Sequence, residues 1–148
     1  MHLMLSAMFF GCGSIGLETT HDPSLSSELE IEPSGTISFG NYDFRGDGGV
    51  ETMTLFSIGD IDLAIIDIWL GDRSDEEFVF NSDELPLPLM LAPGESFPLN
   101  ISFLPQSVGN FDGEVWVWVD GPSGGQEVSR RLKGQGCDLQ GGSSSCQP

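Results

Sequence analysis

The stretch that decides the fold runs from residue 97 to residue 119 and reads FPLNISFLPQSVGNFDGEVWVWV. Over residues 97–103 a large apolar side chain stands at every second position, and over residues 115–119 a valine does so. A period of two places alternate side chains on opposite faces of a β-strand. Each run therefore predicts a strand with one buried face, and Pro105 ends the first because proline has no amide proton for a sheet.

Apolar runs of strand length continue on both sides of this stretch. They occupy four further segments, at residues 37–39, 50–58, 61–70 and 128–132. Turns rich in glycine and proline separate them, among them Pro93-Gly94, which suits a type II turn because glycine accepts a positive φ. About seven short strands joined by turns predict an all-β fold, an immunoglobulin-like antiparallel β-sandwich. No segment has the pattern of an amphipathic helix.

The chain is strongly acidic, with 23 acidic residues against 5 basic ones and a formal net charge of −18. Such a polyanion repels phosphate backbones and anionic lipid headgroups, so nucleic acid is excluded as a partner, as is electrostatic binding to a membrane. The simplest explanation of the charge is that it keeps an exported domain soluble. No motif in the sequence indicates a cofactor.

The N-terminal residues 1–11, MHLMLSAMFFG, indicate an export signal. The run is apolar and too short to span a bilayer, which takes about 20 residues, but it fits the apolar part of a signal peptide. Cys12 follows a glycine directly, an arrangement that resembles a bacterial lipobox, in which the cysteine is acylated. Phe9 and Phe10 stand where aliphatic and small residues are usual, and His2 replaces the basic start. We expect a lipoprotein of the bacterial outer membrane or cell surface that meets the membrane only through a lipid on Cys12; the alternative is a buried N-terminal strand.

On this interpretation the chain has four parts. They are a signal peptide at 1–11, a lipid-anchored flexible tether at 12–29, the sandwich at 30–136 and a Gly/Ser-rich tail at 137–148. With Cys12 lipidated, Cys137 and Cys146 remain as an even pair that can form a disulfide in an oxidising compartment. We expect that disulfide to lie beyond the folded domain and to stabilise its core little. No CxxC or His/Cys grouping supports a zinc site.

Several motifs follow one another in chain order. They are Pro33-x-x-x-Ile37-x-Phe39-Gly40, Thr54 to Gly59, Leu63-x-Ile65-x-x-Ile68, Leu91-x-Pro93-Gly94-Glu95-Ser96, Ile101-x-Phe103-x-Pro105, Gly109-x-Phe111-x-Gly113 and Leu132-Lys133-Gly134-Gln135-Gly136. Together they resemble the ASH domain (ASPM, SPD-2, Hydin), which is related to major sperm protein and whose bacterial relatives are called choice-of-anchor D domains. One departure is Ser57-Ile58, where the family usually has Asn-x before a glycine. The resemblance implies an interaction or structural module rather than a catalyst.

The residues themselves give no reason to propose an enzyme. The two histidines, His2 and His21, lie in the signal and the tether, so a Ser-His or Cys-His pair inside the domain is excluded. Carboxylates are abundant, but none form a recognisable catalytic motif. We therefore expect no catalytic activity.

A calcium site is a weaker alternative reading of the acidic charge. Asp72, Asp75, Glu76 and Glu77 could offer several oxygens from one loop, and Ca²⁺ takes six to eight. Their spacing does not match an EF-hand, so the simpler reading is a solvated acidic loop.

The three tryptophans form the candidate binding face. If the valines at 115–119 face the core, Trp116 and Trp118 must face outward. Strand C of the family pattern points Leu63, Ile65 and Ile68 inward, which leaves Trp69 outward, and strands C and F are neighbours in such a sheet. An exposed aromatic patch usually marks a partner site. The alternative is that a loop such as 72–90, the tail or a second copy covers it.

Two classes of function follow. The first is a non-catalytic cell-envelope lipoprotein whose ASH-like domain interacts with a protein or serves a structural role. The second is a carbohydrate-binding module that uses the tryptophans against a polysaccharide of the envelope. Sugar sites mix aromatic rings with several hydrogen-bonding side chains. Near the tryptophans the sequence places only Asp67, Asp120 and Arg131, so the first class is preferred.

Overall fold

The computed structural model describes residues 25–121, residues 124–140 and residue 146. The expected signal peptide at 1–11, the lipidation site Cys12 and both histidines lie outside the described residues, as does most of the expected tether. Among the described residues, no helix has the length and apolar character needed to cross a membrane.

Nine strands run through the described part of the chain, and the predicted all-β sandwich is confirmed. They are β1 (Leu29–Glu32), β2 (Ile37–Asp43), β3 (Gly49–Ser57), β4 (Leu63–Leu70), β5 (Phe78–Val79), β6 (Leu89–Leu91), β7 (Ser96–Phe103), β8 (Gly109–Asp120) and β9 (Gln126–Cys137). A single 3₁₀ turn at Ser82–Glu84 is the helical element of these residues. The strands beyond the expected seven include β5 and β6, which at two and three residues are too short to show a period.

The strands form two sheets. The first has the order β1-β3-β7-β5 and the second the order β2-β9-β8-β4-β6. Neighbouring strands pair antiparallel except β2 and β9, which run parallel. The chain passes from the first sheet to the second between β1 and β2, so its N-terminal strands belong to both layers.

The core lies between the inner faces of the two sheets, and Phe103 is at its centre. This residue has no solvent exposure. Its ring centroid lies 5.0 Å from that of Phe78, 5.6 Å from Phe111 and 5.7 Å from Phe39. Gly134 lies so close to the ring that an added Cβ would stand 2.5 Å from it. The predicted burial of one face of residues 97–103 is therefore confirmed at Phe103.

The backbone is regular at the Pro93-Gly94 turn and at the Ser57-Ile58 departure. Gly94 has φ +84°, and the Glu95 amide donates to the Ala92 carbonyl at 2.9 Å, as a type II turn requires. At the departure from the family pattern, the Ser57 amide donates to the Glu95 carbonyl. The buried Ser57 hydroxyl has no hydrogen-bond partner among the described residues. The departure thus leaves the backbone pairing of this turn intact.

Ordered structure begins and ends slightly outside the expected domain limits. The Ser26 and Glu28 carbonyls accept hydrogen bonds from Asp60 and Ile58, although both residues were assigned to the tether. Cys137 was assigned to the tail, but it is the last residue of β9 and is fully buried. The expectation that the disulfide lies beyond the fold is therefore wrong at Cys137, because β9 continues one residue further to complete its ladder with β2.

Candidate binding face on the second sheet

Strand β8 presents two of the tryptophans on the outer surface of the second sheet. Val115, Val117 and Val119 are at most 6% exposed and face the core. Because side chains alternate along a strand, Trp116 and Trp118 point outward. Trp118 is 43% exposed, while Trp116 is half-buried.

Strand β4 adds Trp69 to the same surface by means of a bulge. Ile65 and Ile68 are both buried although they are three residues apart, and the pairing with β8 shifts register between Ile65 and Asp67. A bulge of this kind re-aims the following side chains. The Asp67 carboxylate accepts the Ile68 amide at 2.8 Å within the bulge. Trp69 therefore faces outward and lies opposite Trp116 in the ladder.

The structure brings the three tryptophans together on what we call the tryptophan face. The indole planes of Trp69 and Trp116 are inclined by 12°, and their ring centroids are 6.3 Å apart. Trp118 lies opposite Asp67 in the ladder. Trp118 is exposed and the other two are half-buried, so the loop at 72–90 and the described part of the tail leave this face partly open.

The loop after β4 runs along the edge of the tryptophan face and is fixed to β8. The Gly71 amide donates to the Glu114 carbonyl at 2.8 Å, and the Ser74 hydroxyl accepts the Glu114 amide at 3.0 Å. The Asp75 carboxylate accepts the Asp112 amide at 2.7 Å. These bonds hold the loop, and with it Arg73, beside the Trp69–Trp116 pair.

A groove of about 620 Å³ opens between this loop, the tryptophan pair and β9. Its lining residues include Trp69, Asp72, Arg73, Trp116, Glu127 and Arg131. Lys133 also lines it, with its amino group 4.0 Å from the Asp112 carboxylate. Three of the five basic residues of the chain therefore surround one groove.

Four charged side chains of the groove have no partner of their own. Within the described residues, Arg73 and Arg131 make no side-chain hydrogen bond or ion pair, and the same holds for Asp72 and Glu127. Glu114 by contrast accepts the Ser129 hydroxyl at 2.7 Å. The groove thus offers two free guanidinium groups and two free carboxylates next to an aromatic surface.

The weak calcium candidates do not converge. The Asp75 carboxylate accepts an amide, whereas Asp72 and Glu76 are exposed at different positions of the loop and Glu77 is half-buried. In the part of the chain that the structure describes, no three His, Cys, Asp or Glu side chains are arranged to hold a metal ion.

The remaining site residues lie near the end of β9. A disulfide joins Cys137 to Cys146. Arg45 forms an ion pair with Asp138 at 2.6 Å, and this hydrogen bond raises the pKa of Arg45. Arg45 does not line the groove and remains a cation with a partner of its own.

Sequence reasoning missed most of the polar residues around the tryptophans. It placed Arg131 there but not Glu127 or Lys133, although all three share the outward parity of β9 opposite buried Leu132. The alternation of side chains in β9 could therefore have placed Glu127 and Lys133 on the outer surface together with Arg131. Arg73 lies on a loop, and no local pattern could have placed it.

The chain is similar to solved structures but to no family model and no curated protein. Among solved structures, the ASH/PapD-like domain 7 of human CEP192 superposes with a TM-score of 0.60 at 16% identity, covering 94% of this chain and 99% of that domain. The fold is that of an ASH/PapD-like domain.

Two bacterial structures are also similar in fold to this chain. The Vibrio cholerae VesB protease matches with a TM-score of 0.58 at 16% identity, over 72% of this chain and 31% of the protease chain. The CsuC–CsuE chaperone–tip adhesion subunit pre-assembly complex of Acinetobacter baumannii matches with a TM-score of 0.51 at 15% identity, over 78% of this chain and 60% of that chain. The chain spans about a third of VesB, and at these identities the likeness concerns the fold alone.

Proposed function

We propose that this chain is a non-catalytic interaction protein of the bacterial cell envelope that recognises its partner through the tryptophan face. The observation that carries the proposal is the convergence of Trp69, Trp116 and Trp118 on one outer sheet surface, with Trp118 43% exposed. Exposed aromatic surface is costly in water, and soluble proteins keep it mainly where something binds.

The structural relatives support an interaction role. The Acinetobacter match comes from a complex of a chaperone with a tip adhesion subunit, so the matched chain is bound to another protein there. A protease is also among the relatives, but this chain corresponds to less than a third of it. A catalytic role here would require a nucleophile or acid–base pair, and the sequence shows no such constellation.

Attachment to the envelope is the second part of the proposal. It rests on the apolar residues 1–11 and on Cys12, which resemble a signal peptide and lipidation site. Metabolic labelling with a palmitate analogue tests it. Wild type should incorporate label and Cys12→Ser should not; label on both proteins would contradict acylation of Cys12.

The binding role is tested with a tryptophan double variant. The full chain and its Trp116→Ala plus Trp118→Ala variant are each used to capture proteins and polysaccharides from an envelope extract. A matched control is Val50→Ala, which removes an exposed apolar side chain from the other sheet. Capture by wild type and Val50→Ala but not by the folded double variant is expected. Equal capture by all three would assign the tryptophans to packing alone.

A second candidate function is carbohydrate binding. The observation that favours it is the set of hydrogen-bonding side chains beside the tryptophan pair, which includes Arg73, Glu127 and Arg131. Aromatic surface combined with several polar groups is the composition expected of a sugar site. The same capture experiment separates the candidates, because the bound species is either a protein or a polysaccharide.

A further inference from the structure

The groove beside the tryptophan pair has the size of a site for part of a molecule rather than for a whole protein surface. Its volume is about 620 Å³, within the range of about 300–1,000 Å³ typical of small-ligand pockets. A stable protein interface would instead bury about 800 Å² on each partner. One or two linked sugar rings would fit such a groove.

The aromatic side of the groove suits the apolar face of a sugar ring. Trp69 and Trp116 are nearly parallel, at 12°, and remain partly exposed. Their mutual stacking fixes both side chains before any ligand arrives, so little rotamer entropy is lost on binding. A pyranose ring has one face made of C–H groups, which can lie against such a surface and exclude water from both.

The polar side of the groove selects for an uncharged polyol. Arg73 and Arg131 can only donate hydrogen bonds, while Asp72 and Glu127 can only accept them. A hydroxyl group does both, so one set of sugar hydroxyls can satisfy all four side chains. The four have no competing partner within the described residues.

The same balance disfavours charged ligands. An anionic polymer would meet two free carboxylates and a chain of net charge −18. A polycation would be attracted by the overall charge but would meet the free guanidinium groups of Arg73 and Arg131 inside the groove.

We infer that the groove binds an uncharged glycan chain, with a pyranose ring against the exposed surface of the Trp69–Trp116 pair and its hydroxyls bonded to Arg73, Arg131, Asp72 and Glu127. The inference rests on the second candidate function, carbohydrate binding, and uses the same tryptophan face. It goes further by naming the chemical class of the occupant and the polar residues that select it.

The test is a titration of the full chain with hexasaccharides, followed by tryptophan fluorescence. All three tryptophans of the chain lie on this face, so their emission reports on the site directly. The uncharged probes are cellohexaose, maltohexaose and mannohexaose; the charged probes are hexagalacturonate and fully deacetylated chitohexaose. At least one uncharged probe should give a saturable shift below about 10 mM, and the charged ones should not.

Variants connect binding to the named residues. Arg131→Ala and Glu127→Ala should each weaken binding about tenfold, as expected for loss of a hydrogen bond to a charged group. Both residues are exposed, so the fold should be unaffected. Trp116→Ala should weaken binding at least as much, while Trp116→Phe should retain most of it. Arg45→Ala is the matched control, since Arg45 is a cation outside the groove.

Two outcomes would overturn the inference. One is that no uncharged probe saturates; the other is that the charged probes bind as well as the uncharged ones and Arg131→Ala has no effect. If no sugar binds but the envelope extract still yields a protein that the tryptophan double variant does not capture, the glycan inference is wrong and the protein-interaction function is retained. If neither sugar nor protein binds, both fall.

Discussion

At the scale of single residues, stability is concentrated in the aromatic cluster around Phe103. Four other aromatic rings have centroids within 6.4 Å of its own, and the residue is fully buried. The cluster joins β2 and β8 of the second sheet to β5 and β7 of the first, so one side chain connects both layers.

Replacement of Phe103 by alanine should lower the free energy of unfolding by about 3–5 kcal/mol, because it removes a buried ring and leaves a cavity. Urea denaturation followed by circular dichroism measures the change. The control is Leu104→Ala at the next position, which is 39% exposed and should cost less than about 1 kcal/mol. Equal effects of the two variants would show that Phe103 is not central to the core.

Gly94 tests the turn between β6 and β7. An added Cβ would meet no atom within 4 Å there, so Gly94→Ala changes only the backbone energy at φ +84°. The left-handed conformation should make this variant about 1 kcal/mol less stable. Gly35→Ala is a matched control, since it also has open space but no positive φ, and thermal melts should leave it near wild type. Destabilisation of Gly35→Ala by the same amount would remove the backbone explanation.

At the scale of elements, an arginine on β9 fastens the edge strand of the other sheet. The Arg130 guanidinium donates to the Ile31 carbonyl at 3.1 Å and, through Nε, to the Pro33 carbonyl at 3.1 Å. These bonds lie at the point where the chain passes from β1 to β2. They therefore fix the short strand β1 against the second sheet as well as against β3.

Arg130→Met should release β1 while leaving the rest of the sandwich folded. Loss of the two bonds should cost about 1–3 kcal/mol, because hydrogen bonds to a charged group are stronger than average. Hydrogen exchange at the Ile31 and Glu32 amides should accelerate more than exchange in β8. Arg131→Ala serves as the control, because its outward side chain has no such bonds within the described residues. Unchanged exchange in β1 would show that Arg130 does not fasten it.

The elements also show what sequence could foresee. The alternation in β7 and β8 identified their buried faces correctly. The resemblance to the ASH pattern, which points Leu63, Ile65 and Ile68 inward, implied that Trp69 would face outward. The strands β5 and β6 escaped prediction because two or three residues show no period. The alternation in β9 could have placed Glu127 and Lys133 on the outer surface together with Arg131. Which of them stands beside which tryptophan depends on the register between β8 and β9, which neither strand specifies alone.

At the scale of the whole molecule, the disulfide joins Cys146 to a buried point of the fold. Cys137 has no solvent exposure, and Cys146 lies nine residues further on. The cysteine pairing could be expected from counting, but the burial of Cys137 could not, because it depends on how far β9 follows β2.

Removal of this disulfide should lower the free energy of unfolding by about 2–3 kcal/mol, the value expected for closing a loop of about ten residues in the chain-entropy model. Guanidinium denaturation with and without dithiothreitol measures it. Cys146→Ser should match the reduced wild type and should not respond to the reductant. A wild type that is equally stable in both conditions would show that the bond contributes nothing to the fold.

The parallel pairing of β2 with β9 determines how the domain carries mechanical load. The two strands lie at one side of the second sheet and pair from Ile37 with Leu132 to Asp43 with Cys137. Tension between the start of β2 and the end of β9 pulls parallel neighbours in opposite directions along their length. All their ladder bonds are then strained together and cannot open one after another, so this pair of strands resists such tension better than an antiparallel pair would.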